Sequence, residues 1–314
     1  MNLSLSECRI AVLVPCYNEE VTIGRVVCDF QAAIPNAVIY VYDNNSSDRT
    51  REAAGEAGAV VRLEGYQGKG NVVRRMFADI EADIYVLVDG DDTYSAASVT
   101  AMIKRLIAEQ LDMVVGARVM AEKTAYRTGH RFGNAMLTGL VRSIFGRSFS
   151  DVLSGYRVFS RRYVKSFPAL AGGFETETEL TVHALELRMP VAEIPTPYRS
   201  RPENSTSKLN TYRDGFRILS TIIRLYKTER PLAFFSIASV LLATLSILLA
   251  YPLLVTYLDT GLVPRFPTAI LSTGLMLLAF LSLSCGLILD TVTRGRLELK
   301  RLVYLSISAL SGNS

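Results

Sequence analysis

Short apolar runs alternate with longer segments of helical spacing over the first third of the chain. The apolar runs lie at residues 10–14, 38–42, 84–88 and 113–115, and the segments of helical spacing lie at residues 20–34, 48–57, 70–81 and 96–109. Strands that are apolar throughout are typical of a parallel sheet with helices on both faces. The pattern therefore predicts an α/β domain whose ligand binds outside the carboxyl ends of the strands.

Two long apolar segments lie near the C-terminus. Residues 232–258 and 266–289 carry no charged side chain, and each exceeds the roughly 20 residues that a helix needs to cross a bilayer. Because the connection between them, residues 259–265, is short, they are predicted to form a two-helix transmembrane hairpin over residues 231–290. A buried helix pair of a soluble protein is the alternative, but such helices rarely run this long without a charge.

Basic residues flank this predicted hairpin. Residues 199–230 hold eight Lys or Arg against three acids, residues 290–301 hold four against two, and the connection holds one, Arg265, against one acid. The positive-inside rule therefore predicts that both termini are cytoplasmic. The first residues do not read as a signal peptide, so we expect a protein integral to the cytoplasmic membrane whose α/β domain lies in the cytosol.

Residues 210–230 combine apolar side chains at helical spacing with interspersed arginines. This pattern predicts a basic amphipathic helix on an anionic membrane surface, with a solvated helix packed on its own domain as the alternative. The predicted organisation is thus an α/β domain over 1–209, a juxtamembrane helix over 210–230, the hairpin over 231–290 and a cytoplasmic tail over 291–314. The tail contains a second candidate amphipathic helix at 295–310.

Composition excludes several classes of protein. With 49% hydrophobic and 20% charged residues and a mean hydropathy of +0.25, the chain is not disordered. A net charge of +4 is too small for a dedicated nucleic-acid binder, so no nucleic-acid partner is expected. The four cysteines form no CxxC pair, and His130 and His183 are isolated, which favours structural histidines over a zinc site. Homo-oligomer formation stays open.

Polar clusters follow four of the predicted strands, at residues 15–20, 43–50, 89–92 and 116–118. One such cluster is typical of a turn, but four at one edge of a parallel sheet favour a ligand site. Asp89 and Asp91 flank Gly90 directly after a strand, and two such carboxylates can bind Mg²⁺ or Mn²⁺ together with a diphosphate. Lys69 lies between two glycines at a predicted helix N-terminus, which suits a phosphate or a carboxylate without forming a Walker A loop.

In their order and spacing these clusters resemble family 2 glycosyltransferases with a GT-A fold, a Rossmann-like, mostly parallel sheet. Residues 151–157, 173–179 and 207–209 extend the match, and together with the hairpin they resemble the dolichyl-phosphate-mannose synthase-like branch. The resemblance covers about residues 8–210. It implies metal-dependent, inverting transfer of a sugar from a GDP- or UDP-sugar to a polyprenyl phosphate, dolichyl or undecaprenyl, at the cytoplasmic membrane face.

The resemblance also implies roles for individual residues. The nucleotide-sugar donor would be bound by Pro15, Tyr17, Glu19, Val41, Asp43, Asp89, Gly90 and Asp91, which Lys69 joins on its own chemistry. Asp89 and Asp91 would hold the metal, and the donor or lipid phosphates would contact Arg118, Arg131, Arg201 and Lys208. Asp91, Arg118 and Arg131 are the predicted catalytic residues. Two positions depart from the family: Asn44-Asn45 replaces Asp-Gly, and Thr93 replaces a metal-binding glutamine.

This reaction needs no general base. A lipid monophosphate has its second pKa near ~6 and is mostly dianionic at pH 7, so the enzyme must chiefly offset repulsion between phosphates, and arginines suit that task. Arg157 is a further candidate, for which a phosphate-binding and a structural role are both open. Glu175, Glu177 and Glu179 either stabilise a helix N-terminus or orient an arginine or a sugar hydroxyl. Tyr198 is expected in the core.

Two other functions compete with this interpretation. A processive polysaccharide synthase would need many membrane helices and a Gln-x-x-Arg-Trp motif, whereas this chain has one predicted hairpin and no Trp. A non-catalytic nucleotide-sugar-binding membrane scaffold is the second alternative. The intact Asp89, Asp91, Lys69 and Arg118 argue against such a loss of activity. The sequence leaves the transferred sugar open.

Overall fold

The computed structural model describes residues 7–120, 138–139, 141–143, 145–146, 149–170, 175–199, 220 and 222–309. The chain divides into two compact units. The first comprises Met1–Ile218 together with Lys300–Ser314, and the second comprises Leu219–Leu299.

The first unit alternates strands and helices. Its strands are β1 (Ile10–Cys16), β2 (Val38–Asp43), β3 (Val60–Leu63), β4 (Ile84–Leu87), β5 (Met113–Met120), β6 (Arg157–Ser160) and β7 (Val191–Tyr198). Its helices are α1 (Ile23–Ala33), α2 (Thr50–Glu56), α3 (Lys69–Asp79), α4 (Val99–Ala108), α5 (Arg161–Ser166) and α6 (Thr176–Glu186), with a 3₁₀ turn at Ala96–Ser98 before α4.

The seven strands form one sheet in the order β3-β2-β1-β4-β6-β5-β7. Strand β1 runs parallel to both β2 and β4, and β5 runs parallel to β7. Strand β6 is antiparallel to its two neighbours, so that Val158 pairs with Val86 on one side and with Val114 on the other. The predicted α/β fold with a mostly parallel sheet is confirmed.

Strand β1 shows how both faces of the sheet are covered. Ile10, Val12 and Val14 alternate onto one face, where they join a buried cluster that includes residues of α1 and α4. Leu13 is equally buried but lies outside that cluster, as expected because successive side chains of a strand point to opposite faces. Helix α1 contributes its buried residues at helical spacing: Ile23, Val26, Val27 and Phe30.

The opposite face is packed with aromatic rings. Phe77 of α3 meets Tyr85 of β4 and Phe159 of β6 edge-on, with ring centroids 6.3 and 5.9 Å apart. Phe159 in turn stacks on Tyr163 of α5 at 4.5 Å. Helices therefore cover this face of the sheet as well. The polar residues that follow the carboxyl ends of the strands lie outside both covered faces.

The second unit contains two long apolar helices, α7 (Pro231–Thr260) and α8 (Phe266–Ser306), of which α8 belongs to this unit as far as Leu299. Ser246 Oγ donates to Ser272 O at 2.7 Å, and Ser282 Oγ donates to Phe235 O at 3.1 Å. Because these pairings run in opposite directions along the chain, the helices form an antiparallel hairpin. Both helices are long and apolar enough to cross a membrane.

Helix α8 continues without a break at residue 290, and its last turns belong to the first unit. There Tyr304 Oη donates to Asp112 Oδ2 at 2.7 Å and Lys300 Nζ donates to Glu186 Oε2 at 2.6 Å. The predicted helix over 210–230 lies largely outside the described residues, although residues 222–229 are helical. The domain boundaries drawn from the sequence stay predictions.

Candidate active site

The loops that follow β1 and β2 are joined by short hydrogen bonds. Asn18, with a φ of 54°, donates its backbone N–H to Ser46 Oγ at 2.8 Å, and its side-chain oxygen accepts from Ser47 N at 2.8 Å. The backbone N–H of Glu19 donates to Thr50 Oγ1 at 2.9 Å. These bonds fix two of the predicted polar clusters against each other at the carboxyl ends of the strands.

Asn44 organises the next loop along the edge. It is buried, and its Nδ2 donates to the carbonyls of Glu64 and Tyr66 at 2.9 and 2.8 Å. Its Oδ1 accepts from Gly68 N at 2.7 Å, and its own N–H donates to Cys16 O at 2.8 Å. The departure from the family at this position therefore has a structural use, because the asparagine side chain ties the end of β2 to the loop before α3 through Glu64, Tyr66 and Gly68.

The other residues predicted to bind the nucleotide occupy different environments. Tyr17 is exposed and Pro15 is half-buried, whereas Val41 is fully buried in the core. The Asp43 carboxylate is also buried, and Arg51 Nε lies 3.5 Å from it. Pro15, Tyr17 and the half-buried Glu19 are thus the members of this set whose side chains reach the surface.

Asp89 and Asp91 follow β4. Gly90 between them leaves no room for a side chain, since an added Cβ would lie 2.6 Å from Cys16 Sγ. Asp91 is 4% exposed, and its carboxylate accepts from Thr93 Oγ1 at 2.6 Å. Thr93, the second departure from the family, thus holds the Asp91 carboxylate in place.

A buried lysine bridges two elements at this point. Lys69, the first residue of α3, places its Nζ 2.5 Å from Asp89 Oδ1 and 2.6 Å from Glu177 Oε1. Burial lowers the pKa of Lys69, but the two carboxylates outweigh that effect and raise its pKa above the ordinary value. Lys69 is therefore a charged ammonium ion. Glu177, whose role the sequence left open between two alternatives, pairs with a lysine.

Arg118 extends from β5. Its Nε and Nη2 donate to the two carboxylate oxygens of Asp151 at 2.6 and 2.7 Å, and its Cζ lies 5.5 Å from the centre of the Tyr198 ring. Burial raises the pKa of Asp151, but the hydrogen bonds and the charge of Arg118 lower it by more, so its pKa lies below the ordinary value. This bidentate pair fixes the plane of the guanidinium group.

Two tyrosines connect the acidic residues to Arg118. The rings of Tyr94 and Tyr198 meet edge-on at 5.1 Å, and Tyr94 Oη accepts from Gly155 N at 2.9 Å. A Cβ at Gly155 would collide with the Asp89 carboxylate, so the glycine lets this loop approach Asp89. Tyr198, expected in the core, is partly buried and packs against the core, and its ring also lies under Arg118 of the site. Its chemistry gave no signal that a sequence pattern could reveal.

The electrostatics of Tyr198 bear out this proximity. Burial raises the pKa of its hydroxyl, the Asp91 and Asp89 carboxylates raise it further, and Arg118 opposes them. The pKa of Tyr198 is thus shifted by the two carboxylates and by Arg118. The structure places an acidic pair and an arginine on either side of a tyrosine pair.

Arg157 has a structural role. Its side chain is fully buried, and its donors bind the carbonyls of Val152, Ser154 and Glu177 at 2.7, 2.9 and 3.0 Å and Thr181 Oγ1 at 2.9 Å. These bonds connect the loop before β6 to helix α6. The phosphate-binding role left open by the sequence does not fit this burial.

Several predicted residues lie outside the described part of the chain: Arg131, Arg201, Lys208 and His130. Their roles stay predictions. His183 is described and is buried, with its Nε2 3.1 Å from Ser166 Oγ. Burial lowers the pKa of His183 to about 3, which accords with the structural role expected from the sequence.

The residues after β4 fit a divalent cation. Within the described residues no group of three or more His, Cys, Asp or Glu side chains is arranged to hold a metal ion. Mg²⁺, however, is commonly bound by one or two carboxylates together with substrate phosphates and water. Asp89, with 29% of its side chain exposed, and the oriented Asp91 supply that set of oxygen donors.

Comparison with known proteins agrees with this arrangement. The model of the family described as glycosyl transferase family 2 matches residues 11–167. Glycosyltransferase AglJ from Haloferax volcanii is 36% identical over 228 residues, which cover 72% of this chain and 75% of that protein. A dolichyl-phosphate hexose transferase from the same organism is 28% identical over 221 residues, covering 70% and 95% of the two chains.

Solved structures show the same fold. The crystal structure of glucosyl-3-phosphoglycerate synthase from Mycobacterium tuberculosis, in complex with Mn²⁺, UDP-glucose and phosphoglyceric acid, matches with a TM-score of 0.57 at 22% identity. The match covers 71% of this chain and 85% of that chain. Taken with the family match and the site geometry, this shows that the chain belongs to glycosyl transferase family 2 and is a glycosyltransferase with the GT-A fold.

Proposed function

We propose that this protein transfers a sugar, with inversion, from a nucleotide-diphosphate sugar to a polyprenyl phosphate at the cytoplasmic face of a membrane. The observation that carries the proposal is the arrangement of the site. Arg118 lies over Tyr198, the Tyr198 ring meets Tyr94, and Tyr94 bonds the Gly155 backbone, which borders Asp89. A donor diphosphate suits the acidic end when a divalent cation is bound there, and a phosphate acceptor suits the basic end.

At the donor end, Asp89 and Asp91 would hold Mg²⁺ or Mn²⁺. The bound cation supplies charge neutralisation for the departing diphosphate. Thr93 keeps the Asp91 carboxylate oriented, and Lys69 adds a positive charge beside Asp89. The Mn²⁺ and UDP-glucose named for the mycobacterial structure support a nucleotide sugar and a divalent cation here.

At the acceptor end, Arg118 would offset repulsion between the lipid phosphate and the donor diphosphate. Asp151 holds the guanidinium group at the end of β5, so its orientation is set before either substrate binds. From outside the described residues, Arg131, Arg201 and Lys208 are proposed to add positive charge. A dianionic phosphate attacks the anomeric carbon directly, so a single displacement inverts that centre without a general base.

A lipid acceptor is supported by two further observations. The H. volcanii relative carries the name dolichyl-phosphate hexose transferase, and α7 and α8 have the length and apolar surface of membrane-spanning helices. The excess of Lys and Arg on both sides of the hairpin favours cytoplasmic placement of the GT-A domain. We infer that donor and lipid meet on that side of the membrane.

The test is transfer by the full-length protein in membranes, supplied with radiolabelled GDP- and UDP-sugars, with undecaprenyl or dolichyl phosphate, and with Mg²⁺ or Mn²⁺. We expect label to enter the lipid fraction from one donor, and to be lost when the metal is chelated. If no donor labels either lipid while the protein still binds a nucleotide sugar, the polyprenyl-phosphate transferase is the wrong function.

Asp91→Asn separates catalysis from folding. The amide cannot neutralise a divalent cation, so transfer should fall by about 100-fold or more at unchanged stability. Asp92→Asn is the matched control, because Asp92 has a φ of 55°, which asparagine tolerates, and its carboxylate pairs with Arg25 at 3.2 Å. Near wild-type transfer by Asp91→Asn would refute the metal assignment.

A further inference from the structure

Lys69, Asp89 and Glu177 meet although they come from three separate parts of the chain. Lys69 begins α3, Asp89 follows β4, and Glu177 lies in the first turn of α6. Their side chains are 12%, 29% and 9% exposed, respectively. One ammonium group thus bridges two carboxylates in a largely buried position, and one of these carboxylates is the proposed metal ligand.

We propose that Lys69 is a built-in counter-ion of the donor site, which neutralises Asp89 until a divalent cation and a nucleotide diphosphate bind together, and that Glu177 is the positioning residue that retains Lys69. The inference rests on the proposed function, since it concerns the metal ligand assigned there. It adds a coupling between the two ligands: the free enzyme binds the metal weakly, and the bound nucleotide raises the affinity for the metal.

Competition for Asp89 explains the weak binding. The Lys69 ammonium group already occupies Asp89 Oδ1 at 2.5 Å, so a cation that enters alone must share or displace it. Moving a buried charge away from its partner is costly unless a second partner receives it. Glu177, at 2.6 Å, is that second partner, and an incoming diphosphate would provide a third. Metal and nucleotide therefore favour each other's binding.

Glu177 is itself held in place by buried groups. Its carbonyl oxygen accepts from Arg157 Nη2 at 3.0 Å and from Thr181 Oγ1 at 3.1 Å. The fully buried Arg157 thus links the loop before β6 to the glutamate that retains Lys69. A fixed Glu177 can keep the lysine within reach of the donor site after its contact with Asp89 is lost.

The experiment measures Mn²⁺ binding to the detergent-solubilised full-length protein by electron paramagnetic resonance, alone and with UDP or GDP. Wild-type protein should bind Mn²⁺ markedly tighter when the nucleotide is present. Lys69→Met should bind Mn²⁺ alone about 10-fold or more tighter than wild type, because the competing charge is gone, and should gain less from nucleotide. The exposed Lys104→Gln should match wild type.

Glu177→Gln provides the opposite shift. It removes a negative charge and the alternative partner of Lys69, so the affinity for Mn²⁺ should fall both with and without nucleotide. Opposite effects of the two variants cannot come from a general folding defect, which would weaken binding in both. If Lys69→Met does not fold, Lys69→Gln replaces it.

The possible failures are distinguishable. If wild type binds Mn²⁺ with nucleotide but the Lys69 variant binds Mn²⁺ alone no tighter than wild type, the counter-ion role is refuted and the metal assignment stands. An unchanged affinity in Glu177→Gln refutes the role given to Glu177. If wild type binds no Mn²⁺ under any condition, the metal-dependent function and this inference fall together.

Discussion

The two halves of the sheet hold their loops in place by different means. In the half built from β3, β2, β1 and β4, the strand ends are joined mostly through amide, hydroxyl and backbone groups, as Asn44 shows with its bonds to three backbone partners. The Lys69–Asp89 ion pair is the exception, and Lys69 shares its charge with Glu177 of the other half. In the half built from β6, β5 and β7, buried charges dominate. Arg157 is fully buried, Arg118 pairs with Asp151, and Arg162 pairs with Asp112 at 2.8 Å.

This difference has consequences for both stability and function. Neutral hydrogen bonds contribute modestly each, so loops held by them can adjust around a donor. Buried charges are costly when a partner is missing, so the network they form permits few alternative arrangements. The first half is thus suited to binding and releasing the donor diphosphate, and the second half is suited to holding Arg118 and Glu177 in fixed positions.

The strongest test of the comparison is Arg157→Met. The variant replaces the guanidinium group with an apolar side chain and leaves the backbone carbonyls that Arg157 binds without their donor. We expect the free energy of unfolding to fall by about 3–5 kcal/mol, measured by chemical denaturation in detergent with tyrosine near-UV circular dichroism.

Arg161→Met is the control for that substitution. Arg161 is 44% exposed and pairs with Glu81 on the surface at 3.3 Å, so its loss should cost less than about 1 kcal/mol. Equal losses in Arg157→Met and Arg161→Met would mean that buried charge does not hold the second half together.

Asn44→Ala tests the first half. It deletes bonds from Nδ2 to two carbonyls and the acceptor for Gly68 N, which should cost about 2–3 kcal/mol. Because Gly68 precedes Lys69, nucleotide affinity should fall as well. Isothermal titration with UDP and GDP measures that loss, and Asn71→Ala, at a more exposed position, should retain the affinity. Normal nucleotide affinity in Asn44→Ala would separate this loop from the donor site.

His183 sharpens the comparison through pH. Burial lowers its pKa to about 3 in the folded state, against about 6.5 when unfolded. Above pH 6.5 both states are neutral and stability is unaffected. Below it the unfolded chain binds a proton that the folded chain does not, so unfolding becomes easier as the pH falls from 6.5 towards 3. At pH 5 the loss should be about 2 kcal/mol.

Comparing wild type with His183→Gln between pH 7 and pH 5 isolates this contribution. Lys300 lowers the pKa of His183 further and Glu186 opposes it. The variant should therefore lose less stability than wild type on acidification. The same loss in both proteins would show that His183 is able to take up a proton in the folded state.

The two halves also differ in how far the sequence predicts them. Strands β1, β2 and β4 are apolar runs between helical segments, so periodicity locates them. It also locates the start of β5 in the second half, but it misses the short β3 in the first. Strand β7 contains Pro195 and Pro197, which disfavour a strand unless it lies at the edge of a sheet. Strand β6 is short and begins with Arg157, whose burial depends on partners supplied by distant parts of the fold. No local pattern reveals such a strand.

The site divides in the same way. The apolar run at residues 84–88 places Asp89 and Asp91 correctly at a strand end, because that position follows from the order of the elements. The pairing of Lys69 with Glu177 joins residues 108 positions apart, and the pairing of Arg118 with Asp151 joins residues 33 positions apart. Spacing along a chain carries no information about such contacts. They depend on the insertion of antiparallel β6 between β4 and β5 and on the position of α6, which carries Glu177.

Tyr304→Phe is the mildest test of the buried-charge half. Tyr304 Oη donates to Asp112 Oδ2, but Asp112 also accepts from Ser160 Oγ at 2.7 Å and from both sides of the Arg162 guanidinium group. The carboxylate therefore stays paired, and the loss should be about 1 kcal/mol in the denaturation assay. Tyr257→Phe, at an exposed position, should have no effect.

A loss above about 2 kcal/mol in Tyr304→Phe would contradict this redundancy. Asp112 would then depend on a residue from the far end of the chain, and the GT-A domain could not be separated from residues 300–309 without damage. The expected small loss instead predicts that a truncation before α7 still folds, with Arg162 alone neutralising Asp112. Nucleotide binding by that truncated protein would measure how completely the second half of the sheet supplies its own counter-charges.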